Sequence, residues 1–447
     1  MRSKKWILLN VFFISTIVLA QNPGAQWLQY KTPEEAGWSS TELDKARQCF
    51  DTLGSAAFMA VYNGRVLVVW GDIERRFMCH SIRKSYLSAL YGIHVDEGRI
   101  DINKTIGELG IVDKEPLTET EKRATVRDLL KARSGVYLPA AYETARMKQL
   151  RPLRGSHAPN TFWYYNNWDF NVLGTIFRQV TGKDLFEEFK VRLAEPLQMQ
   201  DYRLIDGYYH LEKENSLHPA YPFKMSARDM ARFGVLFAQQ GRWNERQIVS
   251  DQWIKESTTS YSEAGEGGYA YLWWIQGPTS MPGFYTARGS GGHIIGVAPK
   301  EKFVFVHRVD TYRRKRVEYA QGFKLAKMVL EARTGEPKEQ PELVVLKSAG
   351  KPVEFIRMSR EDLARHAGLY PADNDTVQVK MYEDGLLIEL ATGLKFRLFP
   401  VSTKKFLMED REDYVEFELD EKGKPAKLTL PRTNRDRKAK LNDKEGI

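Results

Sequence analysis

Hydrophobic positions recur along this chain with two different periods, and the switches between them divide it. Residues 39–53 open with Ser39-Ser40-Thr41-Glu42, the spacing of a capping box, and predict a helix. Ala57-Phe58-Met59-Ala60-Val61-Tyr62 and Arg65-Val66-Leu67-Val68-Val69-Trp70 are β-rich runs joined by Asn63-Gly64, which predicts a hairpin. Tyr86, Leu87, Leu90, Tyr91, Ile93 and Val95 then follow helical spacing and stop at Gly98. From about 100 to 260 the pattern is largely helical, clearest over 125–132, 170–181, 185–193, 226–240 and 251–257. Strand character returns over 269–275, 284–297 and 303–310, and a last long helix is expected over 316–333.

A helix and strands therefore open the unit, a helical block interrupts it, and strands and a helix close it. The fold class is α+β: one antiparallel sheet built from both ends, with terminal helices on one face and the helical block on the other. A cleft between block and sheet is the natural ligand site. Residues 336–354, rich in Pro, Glu and Lys, read as a linker. After it, 377–381, 386–390, 395–399, 405–408, 414–419 and 427–430 are short alternating runs, with Asp384-Gly385 and Lys422-Gly423 as turns. They predict a small antiparallel barrel or sandwich. The expected organisation is a leader over 1–20, a main domain over 21–335, the linker, and a small β domain over 355–447 that ends in a basic tail, 432–444.

Composition adds a destination. A chain of 447 residues with 42% hydrophobic and 28% charged positions is an ordinary globular protein. Arg2, Lys4 and Lys5 precede an apolar run, 6–20, that ends in Val18-Leu19-Ala20, the anatomy of a signal peptide. Export to the periplasm or outside the cell is expected, with no transmembrane span after cleavage. The net charge of +9 is spread along the chain and gives no reason to expect a nucleic-acid partner. Two cysteines, Cys49 and Cys79, do not make a disulfide framework, and Cys79 is expected to fill space beside the candidate site. The eight histidines show no metal-ligand spacing, so neither metal nor other cofactor is expected, and no G-x-S-x-G elbow is present. Nothing in the sequence sets an oligomeric state.

The chemistry concentrates in three stretches. Ser81-Ile82-Arg83-Lys84 begins the helix that stops at Gly98, and positions i and i+3 share a helix face. A serine hydroxyl needs a neighbouring base to become a nucleophile, and burial can lower a lysine's pKa enough for that task. Tyr165 and Asn167, in Tyr164-Tyr165-Asn166-Asn167, are two residues apart on a loop; the phenol can relay a proton and the amide can bind Lys84 or a substrate. Arg288-Gly289-Ser290-Gly291-Gly292-His293 places glycines inside strand-like sequence, a mark of a bulge or of close approach to a ligand. His80 and His293 adjoin these stretches and read as packing or supporting residues.

Taken in order, the three stretches resemble those of the serine β-lactamase-like, penicillin-recognising superfamily. The branch in question holds class C β-lactamases, DD-peptidases, family VIII-type esterases and 6-aminohexanoate-dimer hydrolases. Ser81-Ile82-Arg83-Lys84 matches its first motif, Tyr165-Asn166-Asn167 its Tyr-x-Asn motif, and Gly289-Ser290-Gly291 falls where it has Lys/His-Ser/Thr-Gly. Thr125 to Leu130 leading into Ser134-Gly135, Glu195 to Met199, Ser226 to Gly234 and Tyr271 to Trp274 are similar to it as well. The tail domain resembles the lipocalin-like domain often appended to this family.

The resemblance implies acyl transfer through a serine ester on a small-molecule or peptide-like substrate. Ser81 would attack a carbonyl while Lys84 and Tyr165 share its proton, and the N–H groups of Ser81 and Gly292 would form the oxyanion hole. Gly289 departs from the motif by bringing no charge where relatives carry a cation for a substrate carboxylate. Strand alternation turns Arg288 to the opposite face, unless a glycine bulge undoes the alternation. An esterase or amidase with poor β-lactamase activity is therefore expected. The alternatives are a β-lactamase or D-alanyl-D-alanine carboxypeptidase and, in a different class, a non-catalytic sensor on the same fold, against which the presence of Ser81, Lys84 and Tyr165 argues.

Overall fold

The computed structural model describes residues 22–347, 355–372, 375–421 and 423–430. The leader and the basic tail read from the sequence lie outside these residues. Ser39 caps the helix Ser40–Leu53, its hydroxyl accepting from Glu42 N–H at 3.3 Å. Strands Ala57–Tyr62 and Arg65–Gly71 pair through the expected Asn63-Gly64 turn, both residues at positive φ.

The main sheet has ten strands. From one edge they run Leu343–Val345, Leu28–Tyr30, Arg65–Gly71, Ala57–Tyr62, Phe303–Arg308, His293–Ala298, Tyr285–Gly289, Trp274–Ile275, Gly267–Tyr269 and Ser262–Ala264. All neighbours are antiparallel except Leu28–Tyr30 against Arg65–Gly71. Alternation along the central strands feeds two cores. Phe58, Ala60, Phe303 and Phe305 meet the helices Ser40–Leu53 and Tyr319–Glu331 on one face. Met59, Val61, Val304 and Val306 meet the helical block on the other, including the helices Arg83–Asp96, Asn167–Thr181 and Ala227–Ala238. This is the α+β architecture expected, a sheet with helices on both faces.

Several local expectations shift. The run 269–275 is broken between Tyr269 and Trp274, with Leu272 in the left-handed region at a φ of 65°. The last helix begins at Tyr319 rather than 316. Leu343–Val345, inside the segment read as a linker, is an edge strand paired with Leu28–Tyr30. Its three apolar residues are hidden in a composition dominated by Pro, Glu and Lys.

The C-terminal unit is a seven-stranded antiparallel sheet in simple sequence order, from Gly368–Ala372 to Pro425–Thr429, that curls nearly closed around its own core. It meets the main unit through a tight turn. Asp410, at a φ of 65°, takes Arg76 at 3.1 Å and Lys224 at 3.3 Å, and Glu409 takes Arg76 at 2.6 Å and Arg203 at 2.9 Å. Among the described residues no helix is long and apolar enough to cross a membrane.

Candidate active site

Three elements converge on one point. Ser81 sits in a single 3-10 turn, His80–Ile82, that runs straight into the helix Arg83–Asp96. His80 is held at a φ of 49°, an unfavourable value for a residue with a side chain, by Thr311, whose Oγ1 is 2.9 Å from its Nε2. The turn thus presents Ser81, which is partly exposed, while Lys84 behind it is buried.

Lys84 Nζ lies 2.9 Å from Ser81 Oγ and 2.8 Å from Tyr165 Oη, and no carboxylate pairs with it among the described residues. The rings of Tyr165 and Phe170 cover it at 4.5 Å each. Burial, followed by the charge of neighbouring Arg83, holds its pKa well below the usual lysine value. Burial also pushes the Tyr165 phenol up to about 12, against a lowering hydrogen bond with Ser81. The arrangement therefore disfavours both a charged amine and an ionised phenol around one hydroxyl.

The Tyr165 loop is pinned from below. Asn166 caps the helix Asn167–Thr181 and donates to the Val136 carbonyl at 2.7 Å and to Asp169 at 2.9 Å. Asp169, fully buried, also accepts from Ser134 Oγ at 2.5 Å. Trp274 stacks on the Tyr165 ring at 5.2 Å. The adjacent Tyr164 turns away, its hydroxyl donating to the Met147 carbonyl at 2.8 Å, so that of the two phenols it is Tyr165 that meets Lys84. Asn167 does not bond Lys84. Its Nδ2 donates to the Tyr142 carbonyl at 2.7 Å, and its buried Oδ1 has no hydrogen-bond partner.

The third stretch is the turn 290–292 between Tyr285–Gly289 and His293–Ala298, paired in unbroken register. A Cβ at Gly289 would collide with the Cys79 carbonyl, so glycine lets the strand pass directly against the segment leading to Ser81. Gly291 and Gly292, at φ of 93° and 101°, abut Thr311 and Val317 just as closely. The Gly292 N–H closes the turn onto the Gly289 carbonyl at 3.2 Å, and its own carbonyl accepts from His307 Nδ1 at 2.7 Å. The donor expected for an oxyanion is thus committed to the turn.

Alternation holds at Arg288. It faces the helix Tyr319–Glu331, its guanidinium 5.1 Å from the Phe323 ring, 5.6 Å from Tyr319 and 5.0 Å from Trp274. The His80 and His293 rings lie 5.4 Å apart, tilted to one another, and burial lowers both, His80 to about 3, so they stay neutral. Cys79 is buried and, like Cys49, free.

Sequence reasoning missed Asp169, Ser134, Thr311 and Trp274 as supports. Their only signal was position, since Ser134 and Trp274 fall in segments already similar to the superfamily and Asp169 follows Tyr165 by four.

Comparison with known proteins points one way. The model of the family described as Beta-lactamase matches residues 43–318. Among solved structures, a Bacillus anthracis protein assigned as a 6-aminohexanoate-dimer hydrolase shares 22% identity, a TM-score of 0.50, 64% of this chain and 80% of its own. The octameric penicillin-binding protein homologue from Pyrococcus abyssi shares 18% identity and a TM-score of 0.50 over 85% of this chain and 96% of its own. A Bacteroides dorei DSM 17855 protein assigned as a beta-lactamase shares 16% identity and a TM-score of 0.51, over 67% of this chain and all of its own. At these identities the likeness is one of fold.

Proposed function

The chain belongs to the beta-lactamase family, and from that premise we propose that it is an exported serine hydrolase that cleaves esters or amides through an acyl-enzyme on Ser81. The observation that carries this reading is the fully buried Lys84, without an acid partner, held 2.9 Å from Ser81 Oγ and 2.8 Å from Tyr165 Oη. A lysine kept neutral at working pH can take the Ser81 proton as the hydroxyl attacks a carbonyl. The proton then passes through the Tyr165 phenol to the leaving group, and water reverses the sequence to release the acid. The oxyanion needs two N–H donors. One is Ser81 N–H, and the other, by the family resemblance, is Gly292 N–H, which in the free protein closes its turn onto the Gly289 carbonyl at 3.2 Å. Asn167 Nδ2 is held by the Tyr142 carbonyl and its Oδ1 is buried, so Asn167 braces the loop that carries Tyr165. Export rests on the leader over 1–20 alone.

Gly289 decides among substrates. No cation stands at the motif position, and the collision of any Cβ there with the Cys79 carbonyl supports a site without one. Loss of a charged hydrogen bond weakens binding by roughly tenfold to a hundredfold, so substrates with a carboxylate close to the scissile bond are disfavoured. Short-chain p-nitrophenyl esters are expected to be turned over with a higher kcat/KM than nitrocefin or D-Ala-D-Ala peptides. The reverse order on the purified mature chain would contradict the reading.

A further inference from the structure

Beside Arg288 lies a cavity of about 510 Å³, between the helix Tyr319–Glu331 and residues 264–280 at the sheet edge. That volume suits a small organic ligand. Arg288 lies among its lining residues, with Lys324 and Lys327 on the helix, Phe323 and Gln276 on the walls, and Glu266 at the rim. Arg288 is largely buried, yet no carboxylate pairs with it among the described residues. Its one side-chain bond, from Nε, goes to Thr286 Oγ1 at 3.1 Å, and three aromatic rings surround the guanidinium. Lys324 is likewise without an acid partner, while Lys327 pairs with Glu331 at 3.6 Å.

A guanidinium removed from bulk water without a counter-charge is costly. Rings offset part of that cost through their faces, but they leave the in-plane N–H groups, the ones suited to a carboxylate fork, without acceptors. The uncompensated positive charge, set beside a cavity of ligand size, marks a place for an anion. Burial lowers the Arg288 pKa only to about 10, so the charge persists at neutral pH.

We propose that this cavity is an anion subsite, with Arg288 and the rim lysines Lys324 and Lys327 receiving a carboxylate at the far end of the substrate chain. The inference rests on the hydrolase reading above and names its substrate class: esters or amides with a carboxylate several bonds from the scissile bond. The Trp274 ring lies 5.2 Å from the Tyr165 ring and 5.0 Å from the Arg288 guanidinium, so phenol ring and guanidinium are no farther apart than these two spacings together. An extended chain advances ~3.3–3.6 Å per residue, so a linker of at most roughly three residues, or its equivalent in methylenes, is long enough. The near carboxylate that Gly289 cannot serve and the distant one that Arg288 can serve are therefore different recognition problems.

The test uses the full mature chain with p-nitrophenyl hydrogen octanedioate, which carries the carboxylate on the acyl side, and 8-acetoxyoctanoate, which carries it on the leaving side. Each is compared with its neutral methyl ester, alongside the Tm shift that octanedioate gives the Ser81→Ala variant. For at least one probe, kcat/KM is expected to exceed that of the neutral counterpart by roughly tenfold or more. Arg288→Gln should abolish the preference and the Tm shift, and the surface double variant Lys324→Gln/Lys327→Gln should reduce both without disturbing the fold. No preference and no shift, or a preference and shift untouched in the double variant and in any Arg288→Gln protein that folds, would overturn the subsite. A shift lost in these variants, in a protein that turns over no ester, supports the subsite and sinks the hydrolase reading instead. Ester turnover without preference or shift does the opposite.

Discussion

At Lys84 stability and function pull in opposite directions. A fully buried amine without an acid partner is an expensive interior group, and its pKa is held low because the folded protein disfavours the charged form. The sign for stability follows. Between the depressed folded value and the ordinary lysine pKa the unfolded chain binds a proton that the folded chain does not, so in that window this residue's contribution to stability rises with pH. Lys84→Met should therefore be inactive yet more stable than wild type, by about 0.5–2 kcal/mol in denaturant unfolding at neutral pH. A less stable Lys84→Met would show that the two hydrogen bonds outweigh the desolvation. For the reaction, the neutral amine is the working form, so kcat/KM should rise with pH to a plateau. Tyr165, at about 12, stays protonated across that range. Tyr165→Phe keeps the stacking on Trp274 but loses the proton path, so kcat should fall by roughly 10²–10⁴ with little change in Tm. A comparable loss from Tyr164→Phe, whose hydroxyl only braces the Met147 carbonyl, would contradict the placement.

Between elements the decisive contact is backbone against backbone. The strand Tyr285–Gly289 passes so close to Cys79 that any side chain at Gly289 must push the two apart, and they lead into the glycine turn 290–292 and the turn that presents Ser81 respectively. Gly289→Lys, the substitution that restores the motif of relatives, is expected to lower Tm and kcat together and to confer no nitrocefin turnover. Gain of β-lactamase activity in that variant would show that the strand can retreat. This contact also marks the boundary of what the sequence conveys. Ser81, Lys84 and Tyr165 announce themselves because their chemistry is local to short motifs, and helical spacing predicts that Ser81 and Lys84 meet. The hairpin at Asn63-Gly64 and the alternating runs of the small barrel are equally legible, since period and turn chemistry agree there. What stays hidden depends on distant partners. Gly289 is needed because of a carbonyl 210 positions away in the chain. The strain at His80 is held by Thr311, and the break at Leu272 is tied to Ser85 and Leu130, none of which a local pattern exposes. Gly368–Ala372 escaped notice as the barrel's first strand because Pro371 interrupts its pattern.

Over the whole molecule, the barrel is fastened to the segment that leads into the nucleophile. Asp410 and Arg76 are both nearly inaccessible, and Arg76 is five positions before Ser81. When Asp410 is removed Arg76 keeps Glu409 and Asp206 and Lys224 keeps Asp206, so the cost is that of charged hydrogen bonds lost from a buried network, about 1.5–3 kcal/mol. Asp410→Ala should therefore destabilise the protein by that order in denaturant unfolding, while Glu416→Ala, an exposed barrel position paired only with Lys405, should change it by less than about 1 kcal/mol. Equal effects would mean the junction contributes no more than surface polarity. The central claim, that this molecule holds one serine activated by a buried neutral lysine, meets its most direct test in the labelling of the intact mature chain with a fluorophosphonate, read by peptide mass spectrometry across pH. The expected result is a single adduct on Ser81, forming at neutral pH at a rate that climbs with pH to a plateau, and absent from Lys84→Ala. An adduct on another residue, or labelling of Ser81 at an undiminished rate in Lys84→Ala, would contradict the account.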